Sequence, residues 1–176
     1  PTQALRPLLV ANRKANWPLG ALAIANKGIE LSTLSLPLEI VGASLGAEFG
    51  ARCAVISGPS FAIELALLHP TGLVAAANDV EIARLVQQAL SFGSLRVYTS
   101  DDPLGVELAA GLKNVVAIAA GMIDGLGFGS NGLAALITRA LAEIARLGVA
   151  MGARRETFMG LAGLGSGLLI NCYLAV

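Results

Sequence analysis

Arg96-Val-Tyr-Thr-Ser-Asp-Asp-Pro-Leu-Gly-Val-Glu-Leu-Ala-Ala-Gly-Leu-Lys-Asn-Val-Val-Ala-Ile-Ala-Ala-Gly121 is the stretch on which the fold of this chain turns. It opens as a short run with the look of a strand and, within a few residues, becomes a helix apolar on nearly every face. Ser100 or Asp101 can cap that helix, and Pro103 suits its first turn. Upstream, aliphatic runs at 22–26, 52–57, 72–77 and 95–99 alternate with helical patterns at 37–46, 60–68 and 79–91, the last of which Asn78 or Asp79 can cap. Alternation of this kind predicts a parallel sheet with crossover helices. Downstream the strand signal stops, and helices are expected at 103–123, 131–151 and 155–161. The boundary between the two regimes falls at 100/101, giving an α/β part at 1–100 and an all-helical part at 101–176.

Lys113 is out of place in the helix. Burying an ammonium without a partner is costly, and the usual escape is a lowered pKa or a dedicated counter-charge. A lysine tuned towards neutrality can take a proton from a substrate. The alternative is a side chain that snorkels to the one wet edge of the helix.

The 176 residues are 55% hydrophobic and 14% charged, enough apolar material for a sizeable core. Twelve basic and twelve acidic residues cancel, which argues against nucleic acid or an anionic membrane surface as partner. Cys53 and Cys172 lie far apart in apolar runs and read as reduced core residues, and no metal site is expected. No secretory signal is visible, so a cytoplasmic location is expected. The 106–124 segment carries Glu107, Lys113, Asn114 and Asp124, and on that ground no membrane span is expected. Arg139, Glu143 and Arg146 have the spacing of a solvated ion-pair face, and His69, alone before Pro70, is given no role.

No Gly-x-Gly-x-x-Gly or phosphate loop occurs, and the glycines at 125–129 and 163–167 read as tight turns. Three loops follow predicted strand ends, where open α/β sheets bind ligands: Asn26-Lys27-Gly28, Ser57-Gly58-Pro59-Ser60 and Thr99-Ser100-Asp101. The first joins a cation to a flexible backbone, and the second is expected to offer free amides at a helix start; both suit phosphate.

Lys27-Gly-Ile-Glu30, Ser57-Gly-Pro-Ser-Phe-Ala62, Arg96-Val-Tyr-Thr-Ser100, Gly105-Val-Glu-Leu108, Leu112-Lys-Asn-Val115, Asp124-Gly-Leu-Gly-Phe-Gly129 and Ala134-Ala-Leu-Ile-Thr-Arg139 run in the order of the signatures of the NAD(P)-dependent glycerol-3-phosphate dehydrogenase family, which the chain resembles from about residue 22 to 165. The resemblance implies α/β followed by all-α, the C-terminal part of a Rossmann-like parallel sheet joined to a truncated helical domain. It implies NAD or NADP as cofactor, and interconversion of sn-glycerol 3-phosphate and dihydroxyacetone phosphate for phospholipid precursor synthesis. By motif, Lys113 matches the general base, Lys27, Gly58, Ser60 and Asn114 match substrate-binding positions, and Ala62 matches a cofactor neighbour.

The resemblance also implies that the family's dinucleotide fingerprint lies before Pro1 and further helices after Val176. Ser166-Gly167 stand where the family has an aspartate. A fragment with impaired activity is therefore expected, the alternative being a catalytically silent module that binds a phosphorylated metabolite or a protein. Hydroxy-acid dehydrogenases of related fold rank lower, since the 124–129 and 134–139 motifs are not expected in them. A sheet short of its first strands would favour homo-oligomers.

Overall fold

The computed structural model describes residues 1–15, 17 and 20–165. In chain order the elements are a 3-10 turn (Thr2–Ala4), α1 (Leu5–Ala11), β1 (Leu22–Ile24), α2 (Pro37–Leu45), α3 (Ala47–Ala51), β2 (Cys53–Ser57), α4 (Ala62–Ala66), β3 (Thr71–Ala76), α5 (Val80–Leu90), β4 (Leu95–Ser100), α6 (Pro103–Gly125), α7 (Gly129–Ala150), α8 (Arg155–Met159) and a π-helical turn (Leu161–Gly165). The four strands, α2, α5 and the three C-terminal helices fall close to where the hydrophobic periodicity puts them. Helices α1 and α3 were not foreseen, and α1 accommodates Pro7 in its first turn, where the missing N–H costs nothing.

The strands form one sheet in the order β1-β2-β3-β4. β1 runs parallel to β2, with Leu22 beside Cys53, and β3 runs parallel to β4, with Thr71 beside Leu95. Between these pairs β2 and β3 are antiparallel, Ser57 facing Val74. The sheet is therefore mixed, which corrects the all-parallel expectation. The cause is the 58–70 connection. The helix expected over 60–68 shrinks to the 5 residues of α4, about 7.5 Å at 1.5 Å per residue, too short to carry the chain back along a strand. The chain turns, and β3 enters at the edge where β2 left.

The loops after β1 and β2 share one edge of the sheet, and the loop after β4 lies at the other. From that far edge α6 runs back across the sheet, burying Val106, Leu108 and Ala109 with Val55 and Ala76 of the strands and Phe158 of α8. The opposite strand face, Ala54, Ala75 and Val97, packs with Ala83 and Val86 of α5, as the two-residue alternation of a strand requires. A third cluster joins Leu5 and Leu9 of α1 to Ile40 and Val41 of α2 and to Cys53. Cys53 is a free, buried thiol, as expected; Cys172 and the Ser166-Gly167 departure lie outside the described residues.

Capping partly follows the sequence. Asp79 caps α5 by accepting from the Glu81 amide at 2.9 Å. The cap of α6 is Asp102, which accepts from the Gly105 amide at 3.0 Å, and not Ser100 or Asp101. Against the expectation from its charges, α6 is long and apolar enough to cross a membrane. In the fold its leading half is spent on the sheet, with Glu107 only 4% exposed.

Candidate active site

At the β1/β2 edge, Lys27 is exposed and Gly28, at φ 121°, turns the loop across α6. Gly111 is the matching position on the helix. A Cβ there would stand 3.3 Å from Gly28 Cα and 3.4 Å from Gly28 N, so the absence of a side chain at Gly111 sets the approach. The loop is tied from behind by the first residues of the chain. Thr2 Oγ1 donates to the Lys27 carbonyl at 2.9 Å and Gln3 Nε2 to the Ile29 carbonyl at 2.8 Å, while Gln3 Oε1 accepts from the Leu31 amide at 3.1 Å. Arg6 forks the buried Glu30 carboxylate through Nε at 2.9 and 3.0 Å and Nη2 at 2.7 Å.

Lys113, two residues past Gly111, is half-buried. With Ala109, Val116, Ile137, Leu141 and Ile144 it lines a cavity of about 20 Å³, room for roughly one water. Burial holds its pKa below that of an ordinary lysine, and the positive charge of Lys27 lowers it further. Both influences act against the ammonium. Asn114 follows on the exposed side of the helix.

The second loop reaches the same edge. Gly58 is buried at φ 145°, and a Cβ on it would lie 2.7 Å from the Gly72 carbonyl, so the exit of β2 is locked onto β3. Ser60 and Ala62 are exposed beyond it. The helix begins only at Ala62 and is 5 residues long, so the expected set of helix-start amides at 57–60 is not formed. The Ser57 hydroxyl, 1% exposed, has no hydrogen-bond partner among the described residues. The sequence singles out the 57–60 loop for its backbone groups and assigns the Ser57 hydroxyl no role.

The third loop, at 99–101, is at the opposite edge, a correction that follows from the antiparallel β2/β3 pair. Its acids are structural. Asp102 accepts from the amides of Gly105 and Arg154, each at 3.0 Å, and from Thr157 Oγ1 at 2.5 Å, while Asp101 pairs with Arg154 Nη1 at 2.6 Å. Glu107 does comparable work nearer the site, its Oε1 accepting from the Leu38 amide at 2.8 Å; burial pushes its pKa up to about 7. Arg139 pairs with Glu143 at 2.9 Å and Arg146 pairs with it too, on an exposed face as expected.

The fold class is α/β followed by all-α, with a lysine-bearing helix laid across the strand-end loops. Comparison with known proteins agrees. Two family models match in series: "NAD-dependent glycerol-3-phosphate dehydrogenase N-terminus" over residues 1–83 and "NAD-dependent glycerol-3-phosphate dehydrogenase C-terminus" over residues 102–174. A glycerol-3-phosphate dehydrogenase (NAD(P)+) of Geobacter sulfurreducens is 50% identical over 173 residues, 98% of this chain and 51% of the relative. One of Oleidesulfovibrio alaskensis is 49% identical over 170 residues, 97% of this chain and 49% of the relative. The crystal structure of glycerol-3-phosphate dehydrogenase from Coxiella burnetii superposes with a TM-score of 0.88 at 38% identity, covering 96% of this chain and 51% of that one. The chain belongs to the NAD-dependent glycerol-3-phosphate dehydrogenase family. It spans about half the length of the curated relatives it matches.

Proposed function

We propose that this chain carries the proton-transfer and phosphate-contact half of a glycerol-3-phosphate dehydrogenase, interconverting sn-glycerol 3-phosphate and dihydroxyacetone phosphate. The observation that supports it is the Lys27/Lys113 pair: the loop that carries Lys27 meets α6 at Gly111, and the charge of Lys27 acts on Lys113 of the same helix. A phosphate ester relieves that repulsion. Lys27, exposed at the loop, contacts the phosphate, with Gly58 and Ser60 on the neighbouring loop and Asn114 beside the base. Neutral Lys113 Nζ accepts the C2 hydroxyl proton when the alcohol is oxidised and returns it when the ketone is reduced. On the same reading the parts 1–100 and 101–176 are separate domains, the protein is cytoplasmic, and its partners are small molecules and further copies of itself, not nucleic acid or membrane.

The relatives' names carry NAD(P)+, and that dinucleotide is the redox partner in this proposal, with Ala62 beside it. The starts of α2, α5 and α6 are closed to its pyrophosphate, since Glu39 and Glu107 occupy the Leu36 and Leu38 amides, Asp79 the Glu81 amide and Asp102 the Gly105 amide, whereas the starts of α4 and α7 carry no side-chain cap. No step is routed through the cofactor.

Calorimetric titration of the chain with glycerol 3-phosphate and with glycerol tests the substrate half. Binding of the phosphate ester alone, lost in Lys27→Met, is expected; equal response to both compounds refutes the reading. Oxidation of NADH by dihydroxyacetone phosphate, followed by absorbance, tests turnover.

A further inference from the structure

We propose that Thr2, Arg6 and Glu30 are positioning residues for Lys113, acting by holding Lys27 and Gly28 against the helix that carries the base. The inference rests on the two-lysine reading above and goes beyond it to residues distant from the cleft.

The 27–35 loop has little regular structure to hold it, and its conformation comes from a few bonds. Glu30 is their hub. Its side chain is 5% exposed and accepts the Arg6 fork, and Thr33 Oγ1 also donates to it. Its amide donates to the Ser35 carbonyl at 2.9 Å and its carbonyl accepts from Leu34 at 2.8 Å, closing the loop through Leu34 at φ 59°. Three residues back, Thr2 Oγ1 holds the Lys27 carbonyl, and a Cβ on Gly28 would meet that same hydroxyl at 3.4 Å. The loop is thus gripped between Thr2 on one side and Gly111 on the other. A carboxylate in this setting tolerates burial because the guanidinium matches it; without Arg6 it is drawn to water and takes the loop with it.

Loosening the loop has an electrostatic consequence at the base. Of the charged groups on elements packed around α6, Arg139, Glu143 and Arg146 pair among themselves, Arg154 pairs with Asp101, Asp102 caps α6, and Glu39 and Glu107 bond the start of α2; Arg155 and Glu156 stand on α8. Lys27 is the one whose charge lowers the pKa of Lys113. Withdrawing Lys27 leaves burial as the remaining influence and makes Lys113 more basic.

The test is competitive labelling of the full chain with trace acetic anhydride across pH, with mass spectrometry of the Lys113 peptide giving its titration. Lys27→Met is expected to move the Lys113 midpoint up, and Arg6→Met and Thr2→Val to move it up by part of that amount, with Arg6→Lys closer to wild type. Glycerol 3-phosphate affinity should fall severalfold in the same variants. If Lys27→Met moves the midpoint while folded Arg6→Met and Thr2→Val leave it at the wild-type value, the positioning role is wrong and the two-lysine reading stands. If Lys27→Met itself leaves Lys113 unmoved, that reading fails and takes this one with it. Should Arg6→Met not fold, Thr2→Val decides alone, since it removes one hydroxyl and keeps the volume. A residue that merely stabilises the fold would lower the melting temperature without moving Lys113.

Discussion

Gly111 and Gly28 meet backbone to backbone: a methyl group on Gly111 would stand 3.3 Å from Gly28 Cα, inside the ordinary contact distance. The contact places the Lys27 loop on the helix two residues before Lys113. Gly111→Ala should therefore separate loop and helix by a few tenths of an ångström. Because alanine favours a helix interior over glycine by about 1 kcal/mol, the melting temperature should change little. The cost is expected in the site instead, as a severalfold weaker affinity for glycerol 3-phosphate by calorimetry.

Gly148 on α7 gives a second close approach, with the opposite balance. A Cβ there would run into Phe158 Cζ, and Phe158 of α8 is fully buried. Gly148→Ala should destabilise by about 1–3 kcal/mol through overpacking, and Phe158→Ala by about 3–5 kcal/mol through the cavity it leaves. Urea unfolding followed by circular dichroism measures both.

Asp101 and Asp102 are neighbours with unequal duties. Asp102 is 6% exposed and accepts three hydrogen bonds that join α6 to the start of α8, whereas Asp101 pairs with Arg154 in water. Asp102→Ala loses a helix cap and strands further donors, on the order of 2–4 kcal/mol. Asp101→Ala should leave the urea midpoint where it is. Equal losses in the two variants would show that the buried network is not what joins the helices.

Glu107 makes stability depend on pH. Its pKa rises from 4.5 unfolded to about 7 in the fold, mainly by burial. Between those values the folded state holds a proton that the unfolded state has released, so stability falls as pH rises from 4.5 to about 7 and is flat above. The full effect is on the order of 3 kcal/mol. Glu107→Gln keeps an oxygen for the Leu38 amide, and its urea midpoints at pH 5 and pH 8 should converge relative to wild type.

Much of this was legible locally. Strand positions follow from aliphatic runs, the start of α5 from Asp79, and the half-buried placement of Lys113 from a cation set among Leu112, Val115 and Val116. What escaped was non-local. Parallel and antiparallel neighbours draw on the same residues, and the helix of the 58–70 connection is shorter in the fold, at 5 residues, than its sequence pattern suggests, so the reversal between β2 and β3 left no local trace and the 99–101 loop was put at the wrong edge. Asp102 displaced Ser100 and Asp101 as the cap because Arg154 and Thr157, some fifty residues on, share its carboxylate. The Arg6–Glu30 pair spans 24 positions and leaves no periodic trace. Asn114, Ser60 and Ala62 were placed by resemblance, and the fold leaves all three exposed near the β1/β2 edge or beside Lys113.

The central claim is that Lys113 is a base tuned by burial and by Lys27. The sequence has three lysines, Lys14, Lys27 and Lys113, so the 13C-labelled lysine Cε signals can be followed individually by NMR as pH is raised, in the wild type and in Lys27→Met. The account predicts a Lys113 midpoint below the ordinary value of about 10.4, moving up when Lys27 is neutralised. A Lys113 that titrates like an exposed lysine in both proteins would contradict it.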